Sequence, residues 1–190
     1  KVTKRKVTLT SETASKAYDG TALTKPEVTV GGDGFVDGEV EGIKATGTIT
    51  NVGGPVANPI EYTGVEGKFN AGNYKIQKQE GTLTITKAGS LGLTVEGAER
   101  KYNGEPLSAA KVEASVTEGT TISYSTDDGS TWTAEAPSIT KAGTLNVKVK
   151  AENPNYETVE EAYKLKVTKR KVTLTSETAS KAYDGTALTK

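Results

Sequence analysis

Residues 1–25 and residues 166–190 are the same sequence, letter for letter: KVTKRKVTLTSETASKAYDGTALTK. The spacing is 165 residues, and identity over 25 positions does not arise by chance. This constrains the chain more than any other feature, because a fixed period means one structural unit used again and again. We therefore expect a tandem array with a 165-residue period, of which the chain holds one full period and the opening of the next. A weaker repeat lies inside the period. Lys16-Ala17-Tyr18-Asp19-Gly20 with Leu23 matches Arg100-Lys101-Tyr102-Asn103-Gly104 with Leu107, and Asn73-Tyr74 matches Asn155-Tyr156. Thr82-Leu83-Thr84-Ile85-Thr86-Lys87 matches Lys164-Leu165-Lys166-Val167-Thr168-Lys169. Two diverged domains are thus expected to alternate, at 6–87 and 88–170, with 171–190 opening the next copy of the first.

Apolar residues alternate with Thr, Lys and Glu over short stretches, which is the period of a half-buried strand. The pattern is clear at Val7/Leu9, Val28/Val30, Tyr74/Ile76 and Leu83/Ile85. It returns at Leu91/Leu93/Val95, Ile122/Tyr124, Leu145/Val147/Val149 and Leu165/Val167. Turn signals fall at Asp19-Gly20, Gly31-Gly32, Gly53-Gly54-Pro55, Asn103-Gly104 and Asp128-Gly129. No stretch carries a helical period. The expectation is all-β: two tandem immunoglobulin-like antiparallel β-sandwiches of roughly seven strands each. The junctions at Lys87-Ala88-Gly89-Ser90 and Lys169-Arg170 contain no long Gly/Ser or Pro linker, so an elongated arrangement with restricted joints is expected. Tyr18 and Tyr102 are expected at equivalent positions after the opening strand, with rings at least half covered.

Composition narrows the function. There is no Cys and no His, which removes disulfides, thiolate sites, the usual general base and the commonest metal ligand. The balance of 24 basic and 24 acidic residues hides an acidic unit. Removing the 6 basic and 2 acidic residues of 166–190 leaves 18 and 22, a net charge of −4 per period. Such an array is a poor partner for nucleic acid or an anionic membrane, and no apolar run is long enough to span a bilayer. Without a leader or an initiating Met, the chain reads as an internal piece of a longer protein.

Lys16-Ala17-Tyr18-Asp19-Gly20-Thr21, Ala71-Gly72-Asn73-Tyr74 and Gly81-Thr82-Leu83-Thr84-Ile85-Thr86-Lys87 together resemble the YDG/MBG-type repeats of large bacterial surface and adhesin-like proteins. Tyr124-Ser125-Thr126-Asp127, Gly129, Thr131-Trp132, Ala142-Gly143-Thr144 and Asn153-Pro154-Asn155-Tyr156 resemble related Gram-positive immunoglobulin-like surface repeats. The resemblance implies a stalk in the cell envelope, extracellular and wall-attached or secreted, and it carries over no catalytic or cofactor residues. Adhesin domains of this general kind can cross-link a buried Lys to an Asn or Asp. Lys16 is the analogous position here, but Arg100 in its second-domain counterpart cannot form that amide, and the motifs that surround such a bond are missing.

Ser125-x-Asp127-x-Gly129-x-Thr131-Trp132 is the sharpest local motif and matches the hairpin box of sialidase-type propellers. It occurs once per period, and Arg is found only at 5, 100 and 170, so no arginine triad for a sugar carboxylate exists. We read it as a structural hairpin. Trp132 and Tyr124 remain the candidate ligand-stacking residues, with glycan as the ligand class and a host protein as the other external partner. Asp33, Asp37, Glu39 and Glu41 suggest calcium, yet Phe35 and Lys44 occupy required ligand positions of the EF-hand loop. No Ser has a His partner for a triad, and Glu160-Glu161 and Asp127-Asp128 point to opposite faces of a strand. The expected function is therefore non-catalytic, with no metal and no cofactor. The structural motif residues are Tyr18, Asp19, Gly20, Tyr102, Asn103, Gly104, Asp127, Gly129 and Trp132. The expected partners are neighbouring repeats, by continuation of the chain or by head-to-tail exchange of the 171–190 segment.

Overall fold

The computed structural model describes residues 1–189. Up to Lys87 the chain carries β1 (Arg5–Ser11), β2 (Ala14–Ala17), β3 (Leu23–Thr24), β4 (Val28–Gly32), β5 (Val40–Ala45), β6 (Thr48–Ile49), β7 (Gly53–Asn58), β8 (Ile60–Gly64), β9 (Tyr74–Gln79) and β10 (Gly81–Thr86). Beyond it lie β11 (Ala88–Ser90), β12 (Leu93–Glu96), β13 (Ala98–Lys101), β14 (Lys111–Ala114), β15 (Thr121–Ser125), β16 (Gly143–Glu152), β17 (Tyr156–Glu157) and β18 (Val159–Thr168). One short 3₁₀ turn, Ala71–Asn73, interrupts this all-β sequence. Among the described residues every strand pairing joins elements on the same side of Lys87.

Two three-stranded sheets, β4-β1-β9 and β2-β10-β7, dominate the first half, and β13-β18-β16-β15 dominates the second. The sheets are mixed, which corrects the antiparallel expectation. β1 runs parallel to β9, β2 parallel to β10, β11 parallel to β17 and β13 parallel to β18. Period-two patterning reports which face of a strand is buried and says nothing about the direction of its neighbour. In each half the opening segment lies beside the closing segment. The chain crosses the half several times in between and arrives running the same way. The opening segment also changes sheets: β1 belongs to one, and after Glu12-Thr13 the chain enters β2 in the other.

Most of the alternating apolar residues face three cores; Val30, expected to be covered with Val28, is instead 41% exposed, because β4 is an edge strand of its sheet. Val7, Leu9, Ile60 and Tyr74 form one, with Phe35, Tyr62 and Phe69 packed beside them. Leu23, Leu83 and Ile85 form a second. In the second half Leu107, Val147, Val149, Tyr163, Leu165 and Val167 form the third. Burying a side chain of this size is worth about 1.5–3 kcal/mol, so a dozen such residues supply the driving force without many aromatics.

Two polar residues are locked between the sheets of the first half. Asn58 is fully buried. Its amide donates to the Glu12 and Lys25 carbonyls at 3.2 and 2.9 Å, and its oxygen accepts from the Gly47 N–H at 3.0 Å. The Ser11 hydroxyl donates to the Asn58 carbonyl at 2.7 Å and accepts from the Gly81 N–H at 2.9 Å. Five segments are thereby tied at the point where the chain leaves β1 for β2.

Two of the expected turns are strand ends instead. Gly31-Gly32 closes β4 opposite Thr8 and Val7, and Gly53-Gly54 opens β7 beside β10. Glycine is needed there for close approach. A Cβ on Gly32 would lie 2.5 Å from the Lys6 carbonyl oxygen, and one on Gly54 would lie 2.6 Å from that of Leu83.

Residues 171–189 form no strand. Val7 and Leu9 are 1% and 0% exposed, whereas their copies Val172 and Leu174 are 75% and 91% exposed. The sequence is the same, but the only body able to cover it in this chain already holds its own β1.

Candidate functional site

The Tyr-Asp-Gly motif builds a turn from local chemistry. The Asp19 carboxylate accepts from the Thr21 N–H at 2.9 Å and the Thr21 hydroxyl at 2.7 Å, and it pairs with the Lys16 ammonium at 2.7 Å. Gly20 takes a φ of 80°, which a side chain would resist. The Lys16 ammonium beside Asp19, and then the Thr21 bonds, hold its carboxyl well below the usual range. The copy in the tail repeats this without any strand. The Asp184 carboxylate accepts from the Thr186 N–H at 3.0 Å and pairs with Lys181 at 2.9 Å, and Lys181 also bonds the Thr186 hydroxyl. The motif is therefore a self-contained turn. Asn103 makes the shorter version, accepting from the Glu105 N–H at 3.1 Å, with Gly104 at a φ of 92°.

Both tyrosines of these turns sit at the same structural position. The Tyr18 N–H donates to the Thr86 carbonyl and the Tyr102 N–H to the Thr168 carbonyl, each at 2.9 Å. They follow β2 and β13, the strands parallel to the closing strand of each half, and not the first strand of the chain. Tyr18 is partly buried, whereas Tyr102 is 43% exposed.

The Ser125–Trp132 hairpin is a second self-bonded element. The Asp127 carboxylate accepts from the Thr131 N–H at 2.9 Å, the Thr131 hydroxyl at 2.6 Å and the Ser125 hydroxyl at 2.7 Å. Ser125 in turn accepts from the Gly129 N–H at 2.8 Å. Asp128 and Gly129 take φ of 62° and 95°, and Lys148 pairs with Asp128 at 2.8 Å. The Thr131 bonds, with that from Ser125, lower the Asp127 carboxyl to about 2. All three of these bonds close inside the hairpin.

Trp132 and Tyr124 do not share a surface. Tyr124 stands opposite Val149 and packs on the core with Tyr163. Trp132 lies under the Lys150 ammonium, 4.8 Å from its ring. Residues 149 and 150 are neighbours in a strand and point to opposite faces. The two rings are thus held on opposite sides of the sheet.

The acidic loop is also internally occupied. Asp33 accepts from the Lys6 N–H at 2.8 Å, and Glu39 accepts from the Tyr74 hydroxyl at 2.6 Å. The Glu39 carboxylate raises the Tyr74 phenol, with burial adding to it. Among the described residues no three acidic side chains gather as a metal site would require. Lys16 is spent on Asp19 and Thr21.

The residues that do meet across the chain lie at the junction of the two halves, and no sequence pattern pointed to the contacts of their side chains. One residue, Lys87, separates β10 from β11. The Asn155 side-chain oxygen accepts from the Val52 N–H at 3.0 Å, and its amide reaches the Asn51 oxygen at 3.4 Å. The Asn155 carbonyl accepts from the Ala88 N–H at 3.0 Å, so one residue grips both sides of the connector. Tyr156 meets Tyr18 edge to face, with centroids 5.6 Å apart at 77°. A cleft lined by Tyr18, Asn51, Glu118, Gly119, Pro154 and Asn155 marks the seam. No family model matches the chain, and no curated protein matches it.

Proposed function

We propose that this chain is a spacer segment of a tandem-repeat bacterial surface protein, in which small immunoglobulin-like β-units, 6–87 and 88–170, alternate to carry a terminal domain away from the cell. The 25-residue repeat at a period of 165 residues is the observation that carries this reading. An array needs each unit to pass its load to the next with little slack. The one-residue connector and the Asn155 grip on Val52 support that role. The carboxylates weighed for chemistry, Asp127 and Glu39, bond within a turn and to the Tyr74 hydroxyl, and Asp19 bonds within its own turn, as a structural unit requires. The parallel pairing of an early strand with the last one, seen in both halves, supports assigning them to related sandwiches.

The reading makes a direct demand on residues 1–170 in solution. Residual dipolar couplings measured in the two halves should fit one alignment tensor, because the halves move together. Two independent tensors of different magnitude would mean a loose tether and would overturn the spacer reading.

A further inference from the structure

The two halves present matching ends. At the lower end of the first, β10 finishes with Thr86 beside Ala17, and Gly53 lies opposite Ile85. At the lower end of the second, β18 finishes with Thr168 beside Lys101, and Gly143 lies opposite Val167. Tyr102, Lys141 and Ala142 therefore stand where Tyr18, Asn51 and Val52 stand. At the upper ends, Tyr156 lies beside Ala88, the first residue of β11, and Tyr74 lies beside Arg5, the first residue of β1. Asn73 therefore stands where Asn155 stands.

The connectors match as well. Lys87 alone separates β10 from β11. After β18, Lys169 alone precedes Arg170, which is the copy of Arg5 where β1 begins. Equal connector length between equivalent strand ends delivers the next unit to the same place. Yet the first junction is closed and the second end is bare. Tyr18 is covered by Tyr156, whereas Tyr102 is exposed and lines an open hollow with Lys141, Ala142, Lys169, Arg170 and Val172. The Asn73 side chain and the Ala142 N–H have no hydrogen-bond partner among the described residues.

We propose that the face made by Tyr102, Lys141 and Ala142 is the docking surface for the Asn70–Tyr74 turn of a further copy of residues 6–87. Asn73 of that copy accepts from the Ala142 N–H, as Asn155 accepts from the Val52 N–H. Lys141 replaces Asn51 and supplies a second donor to the same oxygen. The aromatic contact is not reproduced, because the Tyr74 ring is turned into its own core with its hydroxyl on Glu39. The second joint is thus clamped by polar contacts while the first is clamped by both. This inference rests on the spacer reading and deepens it by naming the repeat-to-repeat contact.

The test extends the chain past Lys190 by a second copy of residues 26–87 and follows amide hydrogen exchange. The Ala142 amide should exchange about tenfold more slowly than in the 190-residue chain, the factor that one net hydrogen bond supplies. Asn73→Ala in the added copy alone should restore fast exchange, while Asn73→Asp, which keeps the acceptor and faces Lys141, should not. Val52 is the internal reference, released by Asn155→Ala. An unchanged Ala142 rate beside a protected Val52 overturns the proposal and leaves the spacer reading standing. An unprotected Val52 in the unmutated chain overturns both. If Val172 and Leu174 gain no protection in the extended chain, the tail does not open a further unit, and the proposal falls at that step.

Discussion

Asn58 offers the sharpest perturbation of the first half. It is fully buried and its side chain makes three hydrogen bonds, to Glu12, Lys25 and Gly47. Asn58→Ala removes all three and leaves two carbonyls and one N–H behind. Each net bond is worth about 1 kcal/mol and each buried orphan costs about 1–3 kcal/mol. Water can reach the partners in part, since Glu12 is exposed and Lys25 and Gly47 are half-buried. A total near 3 kcal/mol follows, a large share of the roughly 4–12 kcal/mol expected for some eighty residues. Asn58→Leu keeps the volume and should lose a similar amount, which separates hydrogen bonding from packing. Asn58→Asp keeps the Gly47 bond but aims a carboxylate at two carbonyls, so its carboxyl should titrate above the ordinary range. Its penalty should therefore be full above that raised value and should fade as pH drops toward 4. Urea melts give the assay, with circular dichroism following both halves and the single Trp following only the second. The dichroism transition of the first half should move to lower urea while the Trp transition stays. A loss under about 1 kcal/mol, or an equal shift of both transitions, would refute the local accounting.

Two further outcomes follow from the second half. The Asp127 carboxyl is depressed to about 2, so its contribution is full above the ordinary carboxylate value and is lost as pH falls through about 2. The Thr131 amide resonance should titrate there, and a midpoint near 4 would mean that the hairpin bonds do not form in solution. Trp132→Ala removes a half-covered ring and its contact with Lys150, so it should cost about 1–2 kcal/mol and not the roughly 3–5 kcal/mol of a core Trp. It should leave the first-half transition in place, and a loss above about 3 kcal/mol would put the ring in the core.

The apolar framework was open to reading because alternation directly reports burial. Val7/Leu9, Leu83/Ile85, Val147/Val149 and Leu165/Val167 all face cores as their pattern requires. Strand direction was not, since the same alternation serves parallel and antiparallel neighbours. Ser11 and Asn58 were missed because a polar residue in a strand reads as solvent-facing until its long-range partners are known. Gly31-Gly32 and Gly53-Gly54 read as turns in the sequence because glycine permits both a sharp bend and a close approach, and only the neighbouring strand decides between them. Tyr124 and Trp132 lie eight positions apart, but the hairpin places them on opposite faces of the sheet. The Asn73-Tyr74 and Asn155-Tyr156 match was visible as a repeat, yet the task of the Asn155 side chain depends on Val52, 103 residues away.

The central claim is that successive units stack with fixed joints, and array length tests it most directly. Small-angle scattering on proteins with one, two and three 165-residue periods should give a maximum dimension that grows by a constant step. With ten-residue strands such as β16 setting the unit length, that step should be roughly 70–90 Å per period. Growth with the square root of the number of periods, as flexibly tethered beads would show, would contradict the account.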